Sequence, residues 1–314
     1  MKLTIIYHVY KNYSTLVESL TSLTKQDDLD FELLLINDGA TNKVKNIISK
    51  FNFKQIKHFS YYEFNQNLGH ATSYNTCLEN LNEGYVYYCG SNIILTNDFV
   101  STIKKNLINN PKTNVLLFGQ TKLIKDEVSI FHTISGPLNY CVPNSTRSFV
   151  ISIPYLKNKN ITYNTSTYFY LVFIYECLAN TTDILYINRK LASFKKSNYY
   201  TYNLYDVFEQ NNYLIKTYGK TSFFTSHKAF IEALMIASVL KNFLMRIFQT
   251  YNIWSVRGSA CEAAASWLNT NIPNWRKNKY FSSANYFLSP LSKAFADASI
   301  KPFALRLLFK KHGL

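Results

Sequence analysis

The chain of 314 residues is 47% hydrophobic and only 17% charged, which allows a sizeable core in one large or two modest domains and excludes wholesale disorder. Lys and Arg number 34 against 19 Asp and Glu, a net charge of +15 that favours anionic partners: a nucleotide, an anionic membrane surface or a nucleic acid. The basic residues are dispersed and no recognition motif accompanies them, so nucleic acid is not expected as a partner.

The chain opens on a β-rich run, Leu3 to Tyr10. Ser14 can cap a helix running to about Thr24, with Leu16, Leu20 and Leu23 on one face. Phe31 to Ile36 is a continuous apolar run, the pattern of a parallel strand covered on both faces, and it ends at the loop signal Asn37-Asp38-Gly39. A helix over Asn42–Lys50, a strand over Lys57–Glu63, a helix over Gly69–Leu81 and a strand over Tyr85–Cys89 follow, and Asn97 or Asp98 can cap a further helix. This strand–helix repeat predicts an α/β fold with a mainly parallel sheet flanked by helices, whose ligands bind outside the carboxyl ends of the strands. Asp38 and Gly90-Ser91-Asn92 lie where such a ligand would sit.

Residues 115–200 are less regular, with strand candidates at Val115–Phe118 and Ile184–Ile187. From about residue 205 the chain turns helical, basic and aromatic, which divides it into 1–205 and a C-terminal region over 206–314. Phe230 to Phe248 carries a broad apolar arc, and 300–311 reads as a short basic amphipathic segment suited either to an anionic bilayer interface or to the protein's own core. Trp254, Trp267 and Trp275 fit interfacial anchors or plain core.

Cys77, Cys89, Cys141, Cys177 and Cys261 are scattered without a CxxC, so neither a disulfide framework nor a zinc site is expected and a reducing compartment is. No apolar run reaches about 18 residues and the opening run is too short for a signal peptide. The expected location is cytoplasmic, with membrane contact, where there is any, peripheral and on the inner face.

No Gly-x-Gly-x-x-Gly, Walker loop, serine nucleophile elbow or His-Glu-x-x-His occurs. What remains is an ordered set of segments: His8-Val9-Tyr10 after the first strand, Leu35 to Ala40, Asn67-Leu68-Gly69-His70-Ala71 to Asn75, and Gly84 to Asn92. That order resembles the nucleotide-binding half of inverting family-2 glycosyltransferases of GT-A fold, with a weaker likeness from Arg147 to about Ser197 carried by Tyr175-Glu176-Cys177, Ile184–Ile187 and Phe194-Lys195. His8 stands where the family has Pro, Lys11 for Asn, Asn37 for the first loop Asp, and Tyr74 where Arg is common. Gly90-Ser91-Asn92 replaces the family's Asp-x-Asp.

The resemblance implies a nucleotide sugar, a UDP-hexose foremost, held by His8, Tyr10, Asp38, Asn67, Gly69, Ser91 and Asn92, with Asp38 accepting a hydrogen bond from the base. On position alone Asp38 fits a turn residue capping the next helix equally well. Glu176 is the expected general base, taking the acceptor hydroxyl's proton as the sugar carbon inverts; an ordinary helix-face Glu is the alternative. Mg²⁺ or Mn²⁺, the family's usual cofactor, would find one neutral carbonyl at Asn92 and a hydroxyl at Ser91, so metal affinity is expected to be weak or absent and basic side chains would neutralise the diphosphate. A membrane lipid is the candidate acceptor. The competing reading is a degenerate transferase that binds nucleotide or sugar without turnover.

Overall fold

A computed structural model of the protein describes residues 1–10, 14–39, 42–119, 125–132, 148–163, 170–195, 204–226 and 255–277, with 228, 229, 231, 232, 235, 236 and 239 between the last two. The chain forms two compact units, Met1–Tyr199 and Tyr200–Leu314.

The first unit begins with β1 (Leu3–Val9), α1 (Leu16–Thr24), β2 (Glu32–Asp38), α2 (Asn42–Ile48), β3 (His58–Phe64), α3 (His70–Glu79), β4 (Tyr85–Gly90), β5 (Ile93–Leu95) and α4 (Phe99–Asn109). It continues with β6 (Val115–Phe118), β7 (Val128–Phe131), β8 (Phe149–Ser152), α5 (Ile153–Asn158), α6 (Tyr170–Ala179), β9 (Ile184–Ile187) and β10 (Ala192–Phe194). Eight strands form one sheet in the order β3-β2-β1-β4-β8-β6-β9-β7. The first four run parallel. Beyond β4 the sheet is mixed: β8 lies antiparallel to both β4 and β6, β6 and β9 are parallel, and β7 is antiparallel to β9. The result is the mainly parallel α/β architecture expected from the strand–helix repeat.

Every residue of β1 is buried and β2 is buried from Leu33 to Asp38, because helices cover both faces of these strands. Leu3, Ile5, Tyr7 and Val9 share one core with Leu16, Leu20 and Leu23 of α1 and with Phe99, Val100, Ile103 and Leu107 of α4. The edge strand β3 is different, since none of its seven residues is buried.

The chain runs β1, β2, β3 in one direction across the sheet and then returns to place β4 on the far side of β1. Strand order therefore reverses between β1 and β4, and the carboxyl ends of β1, β2 and β4 open on one rim, the place where ligands of such sheets bind.

Two capping expectations fail for one reason, which is that a side chain finds a stronger partner elsewhere. The residue at the α1 N-cap is Thr15 rather than Ser14, and it makes no side-chain cap; its hydroxyl donates instead to the Ser91 carbonyl at 2.7 Å. Asp98 does occupy the α4 N-cap but caps nothing with its side chain, because its carboxylate pairs with the Arg189 guanidinium.

The second unit contains α7 (Leu204–Tyr218), α8 (Ser222–Ser226), α9 (Ser255–Asn271) and a 3-10 turn, Trp275–Lys277. Phe208 of α7 stacks on Trp267 of α9 with centroids 5.6 Å apart, and the indole N–H of Trp267 donates to Asn212 at 3.0 Å. Trp267 and Trp275 are both buried, which favours core over interfacial anchoring at these two positions. All three tryptophans belong to this unit. Among the described residues no helix is long and apolar enough to cross a membrane. Trp254, Arg147, most of the 230–248 arc and the 300–311 segment lie outside the described residues.

Candidate functional site

At the β1–β2 end of the rim, His8 and Asp38 meet. They sit in adjacent parallel strands near matching carboxyl ends, and the His8 Nε2 lies 2.8 Å from Asp38 Oδ2. Both side chains are buried, His8 to 3% exposure and Asp38 completely. Two backbone donors complete the carboxylate's surroundings: the Leu68 N–H reaches Oδ1 at 2.7 Å and the Gly69 N–H reaches Oδ2 at 3.0 Å. Burial pushes the Asp38 carboxyl up, but the His8 hydrogen bond and the two backbone donors outweigh it, so its pKa lies below the ordinary value. Asp38 is thus an ionised, acceptor-only group, and Nε2 of His8 is the donor.

The segment that clamps Asp38 is itself tightly set. Asn67 is exposed and accepts the Gly69 N–H at 3.1 Å. Gly69 has φ 83° and starts α3, a conformation that an L side chain rarely adopts. Gly39, with φ 65°, approaches the same segment so closely that a Cβ would stand 2.5 Å from the Asn67 nitrogen. Asn37 faces away from the rim pair, and its amide donates to the Tyr61 hydroxyl of β3 at 3.0 Å.

The β4 end is built the opposite way. Gly90, Ser91 and Asn92 carry no charge, and Ser91 and Asn92 are buried. Polar side chains of α1 and of the residues at its two ends hold their backbone and that of the β5–α4 stretch beyond. The Thr15 hydroxyl donates to the Ser91 carbonyl, and Ser19 donates to the carbonyls of Gly90 and Ile93. Ser22 accepts the Leu95 N–H at 3.1 Å. Gln26 donates to the Thr96 carbonyl at 2.8 Å and accepts the Val100 N–H at 3.0 Å. The segment is also tied to β1, where the Ser91 N–H donates to the His8 carbonyl at 3.3 Å, and to the end of β10, where the Lys195 N–H donates to the Asn92 carbonyl at 3.0 Å.

This segment does not fit a hard divalent cation. It offers one amide carbonyl and one hydroxyl where Mg²⁺ and Mn²⁺ prefer anionic oxygens. Among the described residues no three His, Cys, Asp or Glu side chains come together as a metal site.

Tyr10 follows β1 directly and is half-buried. Glu176 lies on α6, also half-buried. A run of ring contacts, mostly tilted or edge-on, leads from the rim pair to that helix. His8 meets His70 at 4.2 Å between centroids, His70 meets Tyr74 at 5.9 Å, and Tyr74 meets Tyr88 at 4.5 Å. Tyr88 then meets Phe173 of α6 at 5.8 Å, and Phe173 stacks on Tyr163 at 4.1 Å. Tyr74, standing where the family often has Arg, donates its hydroxyl to the Cys89 carbonyl at 3.0 Å.

The sequence profile of "Glycosyl transferase family 2" matches residues 4–171, more than half of the chain. The chain belongs to glycosyltransferase family 2. Two curated relatives share short stretches with this family-2 chain. "Glycosyltransferase GlyA" of Streptococcus pneumoniae is 29% identical over 107 residues, 34% of this chain and 15% of that protein. "Teichoic acid poly(glycerol phosphate) polymerase" of Staphylococcus epidermidis is 30% identical over 87 residues, 28% of this chain and 12% of that protein. The matched stretches thus span a small fraction of either relative's length.

Solved structures agree on the fold. S. aureus TarS residues 1–349 in complex with UDP-GlcNAc aligns over 89% of this chain and 75% of that one, with TM-score 0.56 at 15% identity. The mannosyltransferase PcManGT of Pyrobaculum calidifontis, in complex with GDP-Man and Mn²⁺, aligns over 94% and 87%, with TM-score 0.51 at 11% identity. The family-2 glycosyltransferase fold of GT-A type, expected from the ordered rim segments, is therefore the fold of this chain.

Of the expected site residues, His8, Asp38 and Gly69 are joined by direct hydrogen bonds, with Asn67 one bond further out. Ser91 and Asn92 form the neighbouring segment, joined to His8 through its backbone. Sequence reasoning gave His70 no part in the site and missed the polar side chains along α1 and at its ends. The second had a visible signal: Thr15, Ser19, Ser22 and Gln26 recur at helical spacing on a face that also carries leucines.

Proposed function

We propose that this family-2 chain transfers a hexose from a nucleotide sugar, a UDP sugar foremost, to an acceptor hydroxyl with inversion at the sugar carbon. The observation that carries the reading is the pairing of His8 with an ionised Asp38 across β1 and β2, beside the point where strand order reverses between β1 and β4. In this reading the nucleobase lies at the β1–β2 end against His8, Asp38, Tyr10 and the 67–69 segment. The diphosphate and sugar extend past Ser91 and Asn92. The Lys195 N–H bonds the Asn92 carbonyl and its exposed ammonium pairs with Glu18 at 3.3 Å; in this reading the ammonium leaves that pair on donor binding and takes over part of the neutralisation that Asp-x-Asp and a metal would supply.

Glu176 is the base. Its carboxylate takes the proton of the acceptor hydroxyl as that oxygen bonds to the anomeric carbon and the bond to the nucleotide breaks; the departing diphosphate carries the electron pair. The acceptor is a lipid-linked hydroxyl at an anionic membrane face, which the net charge of +15 favours. The location that goes with this is cytoplasmic and peripheral. The 206–314 region is the part that would meet the membrane.

Release of UDP from UDP-sugars by the full chain, in the presence of lipid extract and with or without EDTA, tests the reading. Turnover with a sugar-bearing lipid product supports it. Tight nucleotide binding with no turnover on any donor would instead favour the binding-module reading, which the carboxylate-free segment at 90–92 already recommends.

A further inference from the structure

We propose that the outer edge of β3 pairs antiparallel with the same edge of a second copy of this chain, about a two-fold axis at Ser60.

β3 ends the sheet, and among the described residues no strand lies beyond it. It is as long as β1 and β2, yet none of its seven residues is buried. Its register with β2 is unbroken, so no bulge turns the edge aside, and no proline interrupts it. Phe59, Tyr61 and Tyr62 are 38%, 40% and 36% exposed. A long, unbulged, aromatic edge presents its free N–H and C=O groups as a template for another strand, a feature that proteins ordinarily blunt.

The residues along the edge select the strand that fits. A two-fold axis normal to the sheet keeps every side chain on its own face, so residues of like parity meet across it. Centred on Ser60, the axis sets Lys57 opposite Glu63 of the second copy, His58 opposite Tyr62 and Phe59 opposite Tyr61, each pair occurring twice. Rings then face rings and opposite charges face each other, the cross-strand pairs that stabilise a ladder. An axis at Tyr61 puts Glu63 against Phe59, and one at Phe59 puts Lys57 against Tyr61 and Glu63 against Gln55, so neither joins opposite charges.

The ion pairs already present extend across the Ser60 axis instead of competing with it. Lys57 holds Asp30 at 2.7 Å and Glu63 holds Lys45. Charge therefore alternates along Asp30 and Lys57 of one copy and Glu63 and Lys45 of the other. The 57–63 segment is locally neutral, with one Lys and one Glu, on a chain of net charge +15. Reversal of the strands turns the two β1–β2–β4 rims to opposite ends of the joined sheet, so each copy keeps its own site.

Sedimentation equilibrium of the full chain tests the inference, from about 1 to 100 µM in about 0.15 M salt, where a small interface associates and long-range repulsion is screened. Monomer and dimer should exchange with concentration. Lys57→Glu and Glu63→Lys each set like charges opposite one another twice, and each should weaken the dimer about tenfold or more. An equimolar mixture of the two variants should regain association to within about threefold of wild type, because the two substituted positions face each other and the native pair survives at the far end. A role confined to the Lys57–Asp30 and Lys45–Glu63 pairs within one chain predicts no such rescue. A chain monomeric throughout, a dimer indifferent to both reversals, or a mixture no tighter than its components overturns the inference. Should either variant fail to fold, Ser60→Cys decides. Mild oxidation should then yield a covalent dimer beyond any formed by wild type, and its absence refutes the pairing.

Discussion

The two ends of the rim solve opposite problems. At the β1–β2 end a charged side chain is buried and the backbone comes to it: Leu68 and Gly69 donate their N–H groups to Asp38. At the β4 end the backbone is the thing held, and side chains come to it from α1. The first arrangement makes a fixed electrostatic feature. The second makes a fixed shape with no charge of its own. In the proposed reading the first recognises the base and the second positions the diphosphate.

Asp38→Ala should break the contrast most severely. Removing this buried acceptor leaves the donors of His8, Leu68 and Gly69 without it, at about 1–3 kcal/mol for a buried group left unpaired, and the 67–69 segment loses its anchor as well. Denaturant melts should show the loss of stability, and calorimetry should show the loss of nucleotide binding. The wild-type chain has a related acid limit. The Asp38 pKa is lowered in the fold, so its contribution is complete above the unfolded carboxylate range near about 4 and disappears as pH falls through the folded value. Acid titration of stability should therefore steepen below about pH 4, and Asp38→Asn should flatten that part of the curve.

Glu176→Gln comes next. It should leave donor binding intact and lower transfer by about 100-fold or more, the range for loss of a general base. Unchanged turnover would remove Glu176 from the mechanism. Gly39→Ala should cost about 3 kcal/mol, since a positive φ and a backbone atom 2.5 Å from the new carbon act together. Gln26→Ala addresses the other end. It removes bonds to Thr96 and Val100 and should cost about 2 kcal/mol in a denaturant melt. The smallest effect expected is that of EDTA. Nucleotide affinity should not change, because the 90–92 segment offers a metal no carboxylate.

Much of the frame could be read from the sequence because β1, β2 and β4 are strongly apolar and end at polar punctuation. The ordered rim segments then fixed the family. The mixed far half of the sheet was not legible: β8 inserts antiparallel between β4 and β6, a long-range pairing that no local pattern announces. Strand boundaries moved by a residue, as at β3, where the ladder with β2 decides the end. The caps at Thr15 and Asp98 were misread because local propensity favours a helix-terminal bond, whereas tertiary partners at Ser91 and Arg189 take the side chains instead. His70 gave no periodic signal, and its place against His8 depends on how α3 enters beside β1.

The confinement of every tryptophan to the part beyond Tyr199 has a practical consequence. Indole emission excited at its red edge reports on the C-terminal unit alone. Near-UV ellipticity adds the packed tyrosines around Tyr74, Tyr88 and Tyr163 of the N-terminal one, on top of what the aromatic residues of the C-terminal unit contribute. A single unlabelled sample therefore carries two different optical clocks, and a denaturant series followed on both would reveal whether the halves come apart together or in succession.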